Sequence, residues 1–272
     1  MKAIDYPKYE QFAVSLAQHA GKILLDYRGK AAIVVQKGKA LDFATEADIA
    51  SERYIRSEIG KMFPSHGVMG EEEGFTNKDN EYLWVIDPLD GTLEYKRGSS
   101  SFDVHIALEY KGELIAGCVY KPLTEEIFSV AKGYGVKENE QTVRVSEIYR
   151  LNNSILYMML PRSSNTSEEI HRSVRILEIA ASQIGLIRDA WEVGLALANV
   201  ASGSTDAFLL VKQDPKWWDV APGILLVEEA GGKVSDMYGG PIINRDLSKG
   251  LVATNGQLHD KILQIVKNGI NQ

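Results

Sequence analysis

From about residue 154 onward, strand-like and helix-like stretches take turns, and this alternation limits the possible architectures more than any other feature. "SILYMML" reads as a strand, "SEEIHRSVRILEIAAS" as an amphipathic helix, "IGLIRD" as a strand, "WEVGLALANVAS" as a helix and "TDAFLLV" as a strand. "WWDVAPGILLVEEAGG" follows as a helix closed by Gly231-Gly232, then "GKVSD" and "GLVAT" as strands, then a last helix. Segments that switch period in this way bury their apolar faces against one another, which builds an α/β unit.

The first half has a different rhythm. Tyr9, Phe12, Ala13, Leu16, Ala17, Ala20, Ile23, Leu24 and Tyr27 recur at helical spacing. "AAIVVQKGK" reads as a strand running into a basic turn, and a second helix covers about residues 46–62 with Thr45 as its N-cap. "YLWVID" is a short buried strand expected to end at Asp87. Phe102, Val104, Ile106 and Leu108 alternate with more polar neighbours, and "ELIAGCVY" and "EIFSVA" continue the pattern. Two helices followed by a largely antiparallel sheet are therefore expected. The join near 140–153 is polar and has no long linker. An N-terminal α+β subdomain over 1–145 and a C-terminal α/β subdomain over 146–272, tightly packed, is the expected division.

At 272 residues and 44% hydrophobic, the chain can bury a sizeable core. The net charge of −7 and the scatter of basic residues argue against a nucleic-acid-binding face. A lone cysteine, Cys118 in "LIAGCVY", excludes an internal disulfide and fits a reducing, cytoplasmic setting. The opening "MKAIDYPKYEQF" lacks the apolar core of a signal peptide, and no run approaches the roughly 20 apolar residues of a membrane span.

The chemistry concentrates in "WVIDPLDGTLEY", where Asp87 and Asp90 stand three residues apart directly after an apolar run. Asp-Pro-Leu-Asp-Gly is good turn chemistry in its own right. "LDGTL" also resembles the Asp-x-Asp-Gly-Thr of haloacid-dehalogenase phosphatases, but that spacing is two, which places both carboxylates on one face of a strand. The third reading is a metal cage. Pro88 stiffens the bend, the Leu89 carbonyl and Asp90 reach round it, and Gly91 lets a phosphate approach the backbone. Gly91 and Thr92 then open a short helix whose first N–H groups suit an anion. An all-oxygen set of this kind suits Mg²⁺, not zinc. The five histidines (19, 66, 105, 171 and 259) show no paired zinc-ligand spacing and read as structural or exposed.

Two further segments, "GVMGEEEG" and "WWDVAPGILLVEEAGG", join "WVIDPLDGT" in a pattern that resembles the inositol monophosphatase family of Mg²⁺-dependent, lithium-sensitive phosphatases. That superfamily also contains fructose-1,6-bisphosphatases and nucleotide 3′-phosphatases. The resemblance runs from about residue 8 to the C-terminus and implies a layered α-β-α-β-α sandwich, often a homodimer. It implies that Glu71 is a metal ligand that also orients the water nucleophile. Asp87 would bridge two cations, Leu89 would supply its carbonyl, and Asp90 and Asp219 would hold the second cation. Gly91 and Thr92 would bind phosphate oxygens, and the Thr92 hydroxyl would help activate the water. Asp48, in "FATEADIASE", matches the partner of that threonine, and Lys37 matches a basic residue near the metals. Two or three Mg²⁺ ions are implied, with direct hydrolysis of a small phosphate ester by a metal-activated water.

Several of these residues also have purely structural uses. Thr45-x-x-Asp48 is also a helix-start pattern, Lys37 also a loop lysine, and Asp219 also favourable to a helix dipole. Glu72 and Glu73 read as solvent-facing or as a second layer behind the metals. Three departures bear on the leaving group. Leu93-Glu94-Tyr95 replaces the usual x-Asn-Phe and looks more like the nucleotide 3′-phosphatase branch. Asp189-Ala190-Trp191-Glu192 stands where the family often has small residues. Lys212 and Gln213, with Asp214 nearby, stand where inositol-type enzymes carry an acid, so Lys212 and Asp214 are candidate substrate contacts. Lys96 and Arg97 could meet a second phosphate. The expected activity is an inositol or related sugar or polyol monophosphatase. A bisphosphate phosphatase and a catalytically silent metal- or phosphate-binding regulator are the alternatives.

Overall fold

The computed structural model describes residues 5–37, 41–162, 165–211 and 215–271. Helix α1 (Tyr6–Tyr27) starts where Asp5 accepts the Lys8 N–H. Strands β1 (Ile33–Gln36) and β2 (Phe43–Thr45) form a small antiparallel ribbon, and α2 (Glu46–Met62) follows at once. Then come β3 (Gly67–Gly70), β4 (Gly74–Thr76), β5 (Tyr82–Asp90), the short α3 (Thr92–Lys96), β6 (Asp103–Tyr110), β7 (Glu113–Lys121), β8 (Glu126–Ala131), β9 (Val136–Glu138) and β10 (Gln141–Val143). The second half contributes β11 (Ile155–Met158), α4 (Ser167–Ala181), β12 (Leu186–Asp189), α5 (Val193–Ala201), β13 (Ala207–Leu210), α6 (Trp217–Glu229), β14 (Lys233–Ser235), β15 (Leu251–Thr254) and α7 (His259–Ile270).

An eight-stranded sheet runs in the order β10-β9-β8-β7-β6-β5-β3-β4, antiparallel except where β3 pairs with β5. A five-stranded sheet runs β12-β11-β13-β15-β14, with β11 parallel to both its neighbours. Helices α1 and α2 cover one face of the large sheet, α5 and α6 fill the space between the sheets, and α4 and α7 cover the outer face of the small sheet. The result is the expected α-β-α-β-α sandwich. Sheet membership changes between Val143 and Ile155, yet the core does not stop there: Phe128 and Val130 pack in one cluster with Leu197, Phe208 and Leu226.

Beneath α1, Tyr9, Phe12, Phe63, His66 and Tyr82 surround the fully buried Trp84, whose indole Nε1 donates to His66 Nδ1 (3.2 Å). That bond needs a neutral imidazole nitrogen, and burial pushes the His66 pKa down to about 4. None of the described helices is long and apolar enough to cross a membrane.

Candidate active site

Strand β5 does not stop at Asp87, as the sequence suggests, but runs on through Pro88 and Leu89 to Asp90. Opposite it on β6, Asp87 pairs with His105 and Asp90 with Asp103. Three steps on one strand face two on the other, so β5 carries a one-residue bulge. Pro88 is tolerated there because a bulge frees a residue from the ladder. The bulge also settles the spacing. Without it, residues three apart would point to opposite faces; with it, Asp87 and Asp90 emerge on the face that bears Asp103 and His105.

Helix α2 holds this bend from behind. Ser51 Oγ donates to the Pro88 carbonyl (3.0 Å). Asp48, almost wholly buried, divides its oxygens: Oδ2 accepts the Thr45 N–H (2.8 Å) and the Thr45 hydroxyl (2.6 Å), and Oδ1 accepts the Thr92 hydroxyl (3.0 Å). The helix-start reading and the threonine-partner reading of Asp48 are therefore both satisfied. Burial raises the Asp48 pKa to about 6, against the hydrogen bonds from Thr45 and Thr92. Thr92 Oγ1 also lies 3.2 Å from the Leu89 carbonyl oxygen. Gly91, which precedes α3, has φ +80°, and a Cβ there would fall 2.7 Å from the Ser101 carbonyl.

Glu71 sits in the turn between β3 and β4. Buried Glu52 on α2 fixes that turn by accepting the N–H groups of Glu72 (2.8 Å) and Glu73 (2.9 Å), while Arg56 bonds both Glu52 and the Gly74 carbonyl. Lys37 reaches Glu71 (2.7 Å) and Glu72 (2.6 Å). It is thus no free loop lysine, and Glu72, with its side chain 3% exposed, does not face solvent.

Asp219 comes from the other half of the chain, in the first turn of α6. Its Oδ2 accepts the Lys216 N–H (2.6 Å) at the helix start. The helix begins there because Trp217 is tied down: its Nε1 donates to Glu109 Oε1 on β6 (2.6 Å), and Arg245 grips both oxygens of the same carboxylate. One carboxylate oxygen from each of Glu71, Asp87 and Asp219 falls within 4.8 Å of the others.

Burial drives the Asp87 carboxyl well above the usual carboxylate range, and the charges of Glu71, Asp90 and Asp219 push the same way. Burial, then Glu71, raise Asp219 to about 6. Asp90 is likewise raised, by burial and by Asp103 and Asp219 against the pull of His105. A converging all-oxygen set that resists ionisation without a counter-charge fits a hard divalent cation.

The second group in this place is absent from the sequence reading. His105 is no remote structural histidine: it is fully buried with Nε2 2.8 Å from Asp103 Oδ1 and 3.7 Å from Asp90 Oδ2. Burial alone would depress the imidazole, but Asp103 and Asp90 outweigh it and raise its pKa to about 9. The other histidines are as expected. His66 and His259 are buried and hydrogen-bonded, and His19 and His171 lie at the surface. The sequence carries only half of this: Asp103, His105 and Glu109 alternate with Val104 and Ile106 along a strand buried on both sides, but nothing in it says which strand lies beside them. Lys96 Nζ donates to the Ala31 carbonyl (2.5 Å). Lys212 and Asp214 lie outside the described residues.

The sequence model of the inositol monophosphatase family matches residues 5–271. The Nus factor SuhB of Pseudomonas aeruginosa is 35% identical over 260 residues, 94% of each chain. The inositol-1-monophosphatase of Mesorhizobium japonicum is 32% identical over 233 residues, 85% of each chain. Among solved structures, extragenic suppressor protein SuhB from Bartonella henselae aligns with a TM-score of 0.87 at 32% identity, over 97% of this chain and 100% of that one. With the family match running almost from end to end, the chain belongs to the inositol monophosphatase family, a family of metal-dependent phosphoric monoester hydrolases.

Proposed function

We propose that this protein hydrolyses a small phosphate monoester, inositol monophosphate or a related sugar or polyol phosphate, by direct attack of water on phosphorus. The observation that carries the proposal is the Thr92–Asp48 hydrogen bond beside the carboxylates of Glu71, Asp87 and Asp219. Two or three Mg²⁺ ions, held by Glu71, Asp87, Asp90, Asp219 and the Leu89 carbonyl, would supply the Lewis acidity that neutralises the ester and acidifies the water. Donating its proton to Asp48, Thr92 Oγ1 keeps its lone pairs for the attacking water, and Glu71 holds that water from the other side. Gly91 and Thr92 present the start of α3 to the phosphate oxygens. Lys37 keeps Glu71 in place through its ion pairs. Asp90 completes the phosphate end of the site, and Lys212 and Asp214, just before α6, are assigned to the leaving group.

A binder with no catalytic role has no need of a threonine hydroxyl held by a buried carboxylate, which favours the enzyme over the silent regulator. A homodimer is included in the proposal; exposed Leu186 and Trp191 leave apolar surface for a second copy. A reducing, cytoplasmic setting fits the buried thiol of Cys118. The test is phosphate release from a panel of esters with Mg²⁺, repeated with added Li⁺. Turnover of inositol 1-phosphate or a hexitol phosphate, inhibited by Li⁺, is the expected result. Preference for fructose 1,6-bisphosphate or a nucleotide 3′,5′-bisphosphate would replace the monophosphatase reading, and no release from any ester would replace the enzyme by the regulator.

A further inference from the structure

We propose that Asp90, Asp103 and His105 form a second metal site, one that takes a borderline transition ion such as Mn²⁺ or Zn²⁺ in preference to Mg²⁺. Asp103 and His105 are both 0% exposed. Asp90 Oδ2, both Asp103 oxygens and both His105 ring nitrogens are shut off from solvent without a hydrogen bond. His105 Nε2 and Asp103 Oδ1 have little beyond their 2.8 Å contact with each other, which leaves His105 Nδ1, Asp103 Oδ2 and Asp90 Oδ2 without a partner. Buried polar groups in folded proteins normally have partners, and so many orphans in one place point to a missing ligand.

The separations suit an ion. Donors about 2.1 Å from a common metal stand about 3.0 Å apart at a right angle and about 3.6 Å apart at 120°. His105 Nε2 lies 2.8 Å from Asp103 Oδ1 and 3.7 Å from Asp90 Oδ2, and one donor from each of the three falls within 4.8 Å of the others. Space at the nitrogen is preserved from the opposite side. Gly194 on α5 faces it, and a Cβ there would lie 2.2 Å from Nε2. Two residues earlier, Glu192 has another buried oxygen without a partner. One imidazole and two carboxylates are the donor mix of manganese, iron and zinc centres, whereas magnesium prefers oxygen alone. Two carboxylate charges balance a divalent ion, which takes the place of the imidazolium proton as that proton leaves to solvent.

The proposal does not depend on the phosphatase reading, because the nitrogen ligand is read directly. Metal-free protein is given a large excess of Mg²⁺ and one equivalent of Mn²⁺, and pulsed electron paramagnetic resonance is recorded. The expected result is modulation from one imidazole nitrogen, lost in His105→Gln, with the Mn²⁺ dissociation constant raised at least about tenfold in both His105→Gln and Asp103→Asn. Wild-type Mn²⁺ without nitrogen modulation would overturn the site. So would the same modulation in His105→Gln, or unchanged affinity in Asp103→Asn. If His105→Gln does not fold, the wild-type spectrum and Asp103→Asn still decide the matter.

Discussion

Asp48 shows why one residue can carry two readings at once: its two oxygens serve different partners, Oδ2 the start of α2 and Oδ1 the Thr92 hydroxyl. Thr92→Ala removes only the second partner. It is expected to lower kcat by about 10²–10³-fold, the usual contribution of a positioned proton acceptor, with the Mg²⁺ concentration at half-maximal rate unchanged. Asp48 must be ionised to hold the Thr92 proton, and burial raises its pKa to about 6. The rate should therefore fall about tenfold per unit as pH drops below about 6, and a pH–rate profile that stays flat from 7 to 5 would remove Asp48 from the chemistry. Glu71, Asp87, Asp90, Asp219, Thr92 and Asp48 were legible because each sits in a short, unusual string whose chemistry is local. Asp103 and His105 were not, since nothing in "FDVHIALEY" announces which strand will lie beside it. Their role appears only when Asp87 is set against His105 and Asp90 against Asp103.

Among elements, β5 and β6 organise the site and α6 completes it. Pro88 reads as a strand terminator, yet the strand continues, because a bulge has no use for the N–H that proline lacks. Short elements such as β3, β9 and β10 were missed for a related reason: three or four residues between turns give too little periodicity to detect. The strands of the second half are no longer, three or four residues each, but they were read because helical segments of clear period stand between most of them. Two predictions belong here. Gly91 joins β5 to α3 at φ +80°, where an added Cβ would fall 2.7 Å from the Ser101 carbonyl. Gly91→Ala should cost about 1–3 kcal/mol in urea unfolding and most of the activity, since backbone strain and a close contact act together. Glu109 ties β6 to α6 through Trp217 and Arg245. Arg245→Ala leaves that carboxylate buried without its cation and should cost about 3–5 kcal/mol, with a higher Mg²⁺ requirement because the first turn of α6 carries Asp219. In a cycle with Glu109→Gln, the double variant should lose clearly less than the sum of the singles; strict additivity would mean that Arg245 and Glu109 do not interact.

For the whole molecule, what matters is that the three carboxylates able to hold an ion come from distant parts of the chain. Glu71 and Asp87 come from the large sheet's side and Asp219 from α6, so cation binding should fasten the two together. The carboxylates of Asp87, Asp90 and Asp219 have native pKa values above the ordinary 3.8, with Asp219 at about 6. A raised carboxylate pKa means that the native state holds the proton more tightly than the unfolded chain. The stability it contributes is complete below 3.8 and is lost as pH rises through the native value. Buried His66 and His259, each lowered to about 4 from 6.5, act oppositely: they take stability away as pH falls from 6.5 toward 4. The pH dependence of metal-free unfolding is therefore a sum of opposed trends, but the histidines cancel in the difference between Mg²⁺-loaded and metal-free protein. That difference should be larger at pH 8 than at pH 5, because Asp219, raised to about 6, gives up its proton between the two. At a Mg²⁺ concentration about 100 times the dissociation constant it should reach about 2.7 kcal/mol, a rise in Tm of about 5–10 °C for a chain of this size. It should shrink as pH falls through 6 toward 5, where protons take the place of the ion. Asp219→Asn should remove most of it at every pH. A difference that is independent of pH, or that survives in Asp219→Asn, would show that Mg²⁺ stabilises the protein somewhere other than between Glu71, Asp87 and Asp219.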